Sequence, residues 1–268
     1  MTSNQHPAPQ AEDRGYVPPA YLEATAGKLA AVKQRSWQAL GAIVGADVLD
    51  VGCGIGIDVR GLAQVVGPDG TATGVDHDPA MIEQARITAA DAGCTNVRFE
   101  QALAHALPFA PTSFAAVRSE RLFQHLDNAA AVLAEMARVT RPGGHVVALD
   151  TDWGSMSIDC IDPALERRLA DFKARHTLAN GFAGRTLRRL FLDQGLLEVS
   201  VELFPSFVTH LAVAHDFANF DDLRRRAAQA GAVTEAEFDR FVADLAAADR
   251  DGTFFASMTL VMVAGTVP

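Results

Sequence analysis

Between residues 46 and 150 the chain repeats one phrase: a short apolar run, a break marked by glycine or aspartate, and a stretch that buries one face. ADVLDV (46–51), GTATGVD (70–76), NVRFEQ (96–101), FAAVRS (114–119) and HVVALD (145–150) read as strands. Helices are expected over about 58–66, from Asp78-Pro79 onward and over 128–140. Asp as N-cap followed by Pro is a helix start with a mechanism, since proline has no N–H to leave unsatisfied in the first turn. Five strands spaced by helices or crossovers predict a parallel, doubly wound α/β sheet with right-handed crossovers. Their near-continuous apolar character suits strands covered on both faces.

Outside this core the rhythm changes. Residues 1–15 are polar and aperiodic, and are expected to form a disordered arm, with one domain over 16–268. Within that domain 16–45 reads as amphipathic helix, 46–150 as the ligand-binding core, and 151–268 as cap insertions and closing strands. After Asp150 a loop and one helix starting at Asp162-Pro163 are expected up to 186, and then a helix over 186–194 and a strand over 196–204. Helices over about 216–230 and 234–249 follow, the second opened by the capping box Thr234–Glu237. A last strand, 254–265, closes the chain.

Composition excludes several classes. The chain has 23 Lys and Arg against 33 Asp and Glu, a net charge of −10, so no global field draws it to phosphate backbones or anionic lipid. No nucleic-acid partner and no membrane are expected. The three cysteines, Cys53, Cys94 and Cys160, suit a reducing cytoplasm, and no Cys-x-x-Cys or His-rich spacing suggests a metal. The sequence carries no indication of oligomeric state.

The strongest chemical signal is VLDVGCGIGIDVR, residues 48–60. Gly52, Gly54 and Gly56 follow a strand ending in Asp50 and precede a helix, which lets the backbone turn sharply and lets a ligand approach closer than a Cβ permits. In a doubly wound sheet a nucleotide-sized ligand lies over such a turn. The spacing is G-x-G-x-G, one residue short of the G-x-G-x-x-G of dinucleotide sites. Asp50 beside it would repel a pyrophosphate but hold an ammonium group, which favours a zwitterionic, phosphate-free ligand.

With GVDHDPAM at the end of the second strand, LPF at 107–109 and RPGG before the fifth strand, the glycine turn resembles the class I S-adenosylmethionine-dependent methyltransferases. The likeness is clear over residues 40–150. It implies a Rossmann-like seven-stranded sheet, mostly parallel with the last strand antiparallel and helical cap insertions, and S-adenosylmethionine as cofactor with S-adenosylhomocysteine as product. It also implies roles by position. Gly52, Gly54 and Gly56 underlie the methionine part and Asp50 the ammonium. Asp76 takes both ribose hydroxyls, His77 and Met81 pack the adenine, and Ser119 and Glu120 lie against the amino-acid end. Leu103 and Ala104 stand where such enzymes commonly have an Asp for the adenine amino group followed by a small residue, so adenine recognition there passes to backbone groups near Ala104 or to His105.

Two candidates remain for catalysis. His125 reads as a base, a substrate contact or a histidine packed at a helix start, and Asp152, after the fifth strand, as pocket lining or a cap. The phenylalanines gathered at 204, 207, 217, 220, 254 and 255 read either as core or as the wall of a pocket for an apolar or aromatic small molecule. The expected activity is methyl transfer to such a metabolite by in-line displacement at the sulfonium methyl. The competing reading is a protein that keeps the cofactor fold without methyl transfer.

Overall fold

A computed structural model describes residues 27 and 29–268, so the arm over 1–15 and the helix expected before residue 29 lie outside the described residues. Strands β1 (Asp47–Val51), β2 (Thr71–Asp76), β3 (Val97–Gln101), β4 (Phe114–Glu120), β5 (Thr140–Ile158), β6 (Leu197–Val208) and β7 (Ala256–Thr266) form one sheet in the order 3-2-1-4-5-7-6. The pairs β3–β2, β2–β1, β1–β4 and β4–β5 are parallel, and β7 runs antiparallel to both neighbours. The switch point lies between β1 and β4, where the strand order reverses and where ligands of open α/β sheets bind.

Helices cover both faces. On one face α1 (Ala30–Gln38), α2 (Ile57–Val66) and α3 (Pro79–Asp91) surround a core containing Val48, Val59, Leu62, Ile82 and Ala116. On the other, α4 (Ala129–Val139) and α6 (Ala183–Asp193) pack on Leu49, Val51, Val117 and Val263. Helices α5 (Pro163–Phe172), α7 (Leu211–Ala218), α8 (Phe220–Gln229) and α9 (Glu235–Arg250) build a third core over the far ends of β5 and β7. The helix starts follow the sequence: Asp78 accepts from Ala80 N–H, Asp162 from Leu165 N–H, and Thr234 and Glu237 close a reciprocal capping box.

Three expectations change. The fifth strand does not end at Asp150 but runs to Ile158, because Ser157 and Ile158 find antiparallel partners in Ser257 and Ala256 from the end of the chain. Arg141 to Gly144, the RPGG expected before the fifth strand, lie inside the start of the same strand, with Gly143 keeping a left-handed φ of +76°. The helix expected over 216–230 is two helices, because Asn219 sits at φ +50° and caps the second through its side chain.

Candidate active site

All three glycines of the β1–α2 turn adopt left-handed φ: +76° at Gly52, +51° at Gly54 and +73° at Gly56. A Cβ on Gly56 would stand 2.7 Å from the Phe99 ring, so glycine is required there by space as well as by backbone. The turn is fastened to β2. Gly52 and Cys53 N–H both donate to Val75 O, and Gly54 N–H donates to Asp76 Oδ2 at 2.9 Å.

Asp76 therefore sits where strand end and glycine turn meet. Its other oxygen accepts from Asp78 N–H at 3.0 Å and faces His77 Nδ1 at 3.2 Å. Burial pushes its carboxyl up, but the His77 and backbone hydrogen bonds outweigh it and hold Asp76 below the usual carboxylate range. Its partner His77 is raised by the same contact. Around the same edge Met81 is buried, Ala104 half-buried, His77 open to solvent and Leu103 53 % exposed. The chain leaving β3 is tied in by Ala102 N–H to Asp76 O and by Gln101 Nε2 to His77 O.

Beneath the turn lies a buried ion cluster whose extent the sequence did not reveal. Arg118 of β4 has no exposed surface. Its Nη1 lies 3.3 Å from Asp50 and 3.0 Å from Asp58, and its Nη2 lies 2.9 Å from Glu120. Lys33, from α1, bridges Asp58 and both oxygens of Glu120, the latter at 2.8 Å. Register brings Arg118 and Asp50 together, since the two are Cα partners across the β1–β4 ladder. Charges this deep persist only when paired. Burial raises Asp58, yet Arg118 and Lys33 outweigh it and its pKa falls; at Asp50 burial wins over Arg118, and the carboxyl rises to about 7. Two buried cations, with the Arg121 guanidinium 3.5 Å from Glu120, thus face three carboxylates, of which Asp50, with its pKa of about 7, is only partly charged at neutral pH. The signal available in the sequence was an Arg placed directly after the apolar run FAAV of a core strand.

The residues fit a zwitterionic nucleoside ligand. A turn of three left-handed glycines, with side chains only at Cys53 and Ile55, lies over Asp50, Asp76 stands at the strand end, and the buried Ser119 hydroxyl has no partner among the described residues. Such an orphan is costly unless a ligand satisfies it.

Further along the same sheet edge, Arg121 follows β4 at φ +52°, and a 3₁₀ turn over Phe123–His125 carries His125. His125 approaches Gln124 Nε2 at 3.2 Å; burial first, then the Arg121 and His77 charges, lower its pKa to about 4. It is neutral at physiological pH. Asp150, wholly buried in β5, accepts from Gln124 and Thr151 N–H and holds this turn in place. Asp152 is 7 % exposed, and both its oxygens accept from Arg185 Nε, at 2.8 and 2.9 Å.

Next to Arg121 opens a cavity of about 170 Å³ walled by Met156, Ile158, Phe207, Val213, Phe217 and Met258. Of the six phenylalanines singled out in the sequence, Phe207, Phe217 and Phe220 line it, while Phe254 belongs to the cap core. Phe204 packs against the sheet core, and Phe255, 44 % exposed, stacks on Phe207. Among the described residues no helix is long and apolar enough to cross a membrane.

Residues 48–144 match the methyltransferase-domain family. An uncharacterised 37.1 kDa protein of transposon Tn4556 from Streptomyces fradiae is 34 % identical over 252 residues, covering 93 % of this chain and 71 % of its own. The demethylmenaquinone methyltransferase of Lactococcus lactis is 28 % identical over 177 residues, 66 % of this chain and 67 % of that one. A candidate methyltransferase of Bacillus halodurans shares the fold with a TM-score of 0.64 at 16 % identity, covering 89 % of this chain and 99 % of that one. So does a geranyl diphosphate methyltransferase solved with S-adenosylmethionine, with a TM-score of 0.56 at 20 % identity over 98 % and 93 % of the two chains.

Proposed function

Given that the chain belongs to the S-adenosylmethionine-dependent methyltransferases, we propose that it transfers the cofactor's methyl group to a small, apolar or aromatic metabolite. The observation that carries this reading is the apolar cavity opening beside Arg121, at the sheet edge that holds the glycine turn. The demethylmenaquinone methyltransferase among the relatives also acts on a small molecule.

The cofactor supplies an activated methyl group on a sulfonium, so the protein's work is to bind, align and exclude water. We assign Gly52, Gly54 and Gly56 to the methionine part and Asp50 to its ammonium. Asp76 takes the ribose diol through charge-assisted bonds. His77, Met81 and the backbone at Leu103 and Ala104 flank the adenine, and Ser119 and Glu120 meet the amino-acid end. For a polar contact that orients the acceptor we assign His125 rather than Asp152. His125 is unprotonated at neutral pH, whereas Asp152 is held by Arg185. With a pKa of about 4, His125 is a weak base; it orients an acceptor hydroxyl better than it strips one.

The test is incubation with S-adenosylmethionine and a panel of hydroxylated aromatic compounds, with products read by mass spectrometry. A methylated compound and S-adenosylhomocysteine in equal amounts are expected. Tight cofactor binding in calorimetry, with no product from any member of the panel, would overturn the assignment of an apolar acceptor.

A further inference from the structure

Arg121 joins the two halves of the site, and its position is held unusually firmly. It is a non-glycine residue at φ +52°, a conformation that persists only where its surroundings impose it. Its N–H donates to Leu149 O at 2.8 Å, and its carbonyl accepts from Gln124 Nε2 at 3.2 Å. The next residue, Leu122, packs over Gly52 of the cofactor turn.

The side chain is 15 % exposed and lines the apolar cavity. The nearest carboxylate, Glu120, lies 3.5 Å from its Nε, and both Glu120 oxygens are already taken at 2.8–2.9 Å by Lys33 and Arg118. Among the described residues, no hydrogen bond is made by the Nη groups of Arg121. The other charged group lining the cavity, Asp216, is 81 % exposed and so remains solvated. Among the described residues, one cation with free donors thus stands in an apolar wall, beside the end of the site assigned to the cofactor.

Resting on the methyl-transfer reading, we infer that Arg121 anchors the acceptor, and that the acceptor is an apolar ring or chain carrying one anionic oxygen. The apolar body fills the space between Met156 and Phe217, and the oxygen receives the guanidinium donors. A planar fork suits a carboxylate or a phenolate, and a bond to a charged group in a largely dry site is worth far more than one in water.

The experiment is equilibrium dialysis of the full chain, with and without S-adenosylhomocysteine, against 2-naphthoate, 2-naphthol and 2-methylnaphthalene. Wild type is expected to bind at least one oxygen-bearing probe about 10-fold or more tighter than the hydrocarbon, as a charge-assisted bond requires. Preference for 2-naphthoate identifies a carboxylate and preference for 2-naphthol a phenolic oxygen. In Arg121→Met the three affinities should fall within about 3-fold of one another, with binding of S-adenosylhomocysteine retained. Phe217→Ala should weaken all three probes alike and leave their ranking. The proposal is overturned if the hydrocarbon binds wild type as tightly as both others, if no probe binds, or if Arg121→Met keeps the preference. Absence of S-adenosylhomocysteine binding counts against the methyl-transfer reading, and the probe ranking still decides the role of Arg121.

Discussion

Replacing Arg118 by methionine removes the one group that neutralises three buried carboxylates at once. The guanidinium reaches Asp50, Asp58 and Glu120 within 3.3 Å, and the substitution leaves Asp58 with Lys33, Glu120 with Lys33 and Arg121, and Asp50 with no ion-pair partner among the described residues. Stripping one partner from a buried ion pair costs about 3–5 kcal/mol, because the remaining charge stays desolvated. For a chain of this size that corresponds to a fall in Tm of roughly 6–20 °C. The loss should depend on pH, and its sign follows from Asp50. Burial raises this carboxyl from 3.8 to about 7, so the cost of burying it charged is absent in acid and grows as pH rises from about 4 through 7. Without Arg118 that cost is larger, so the gap between variant and wild type should be widest at pH 8 and should narrow at pH 5.5. Differential scanning calorimetry at both pH values measures it. A variant within about 2 °C of wild type, or a deficit unchanged between the two pH values, refutes the view that charge pairing under the glycine turn holds this region together.

The remaining predictions concern the turn and its two acids. Asp76→Ala should weaken S-adenosylhomocysteine binding about 10- to 100-fold, the worth of bonds to a charged acceptor, in calorimetry; an unchanged Kd removes the ribose assignment. Cofactor affinity should rise between pH 6 and 7.5 as Asp50, with its pKa of about 7, gains the charge that draws an ammonium group. Asp50→Asn should flatten that profile, and a wild-type profile already flat refutes the assignment. Gly56→Ala combines a left-handed φ with a Cβ 2.7 Å from Phe99 and should cost about 2 kcal/mol or more in urea unfolding; a midpoint equal to wild type means the turn relaxes freely.

What the sequence made legible divides along a physical line. Features set by local spacing were readable: the strand–turn–helix phrase, the caps at Asp78, Asp162 and Thr234, and the glycines at alternate positions all act within a few residues. Features set by partners far along the chain were not. The extension of β5 to Ile158 depends on Ala256 and Ser257, a hundred residues away in sequence, and Trp153-Gly154-Ser155 carries no strand signal of its own. The ion cluster is the same case in the active site. Lys33 and Asp58 look unremarkable in their own windows, as helix surface and first-turn acid, Arg118 stands out only as a base after an apolar run, and only the parallel β1–β4 register with α1 packed across it makes them one object. Within that object Asp50 is the member whose burial Arg118 does not offset, so a cation placed above the turn would draw it into its charged form.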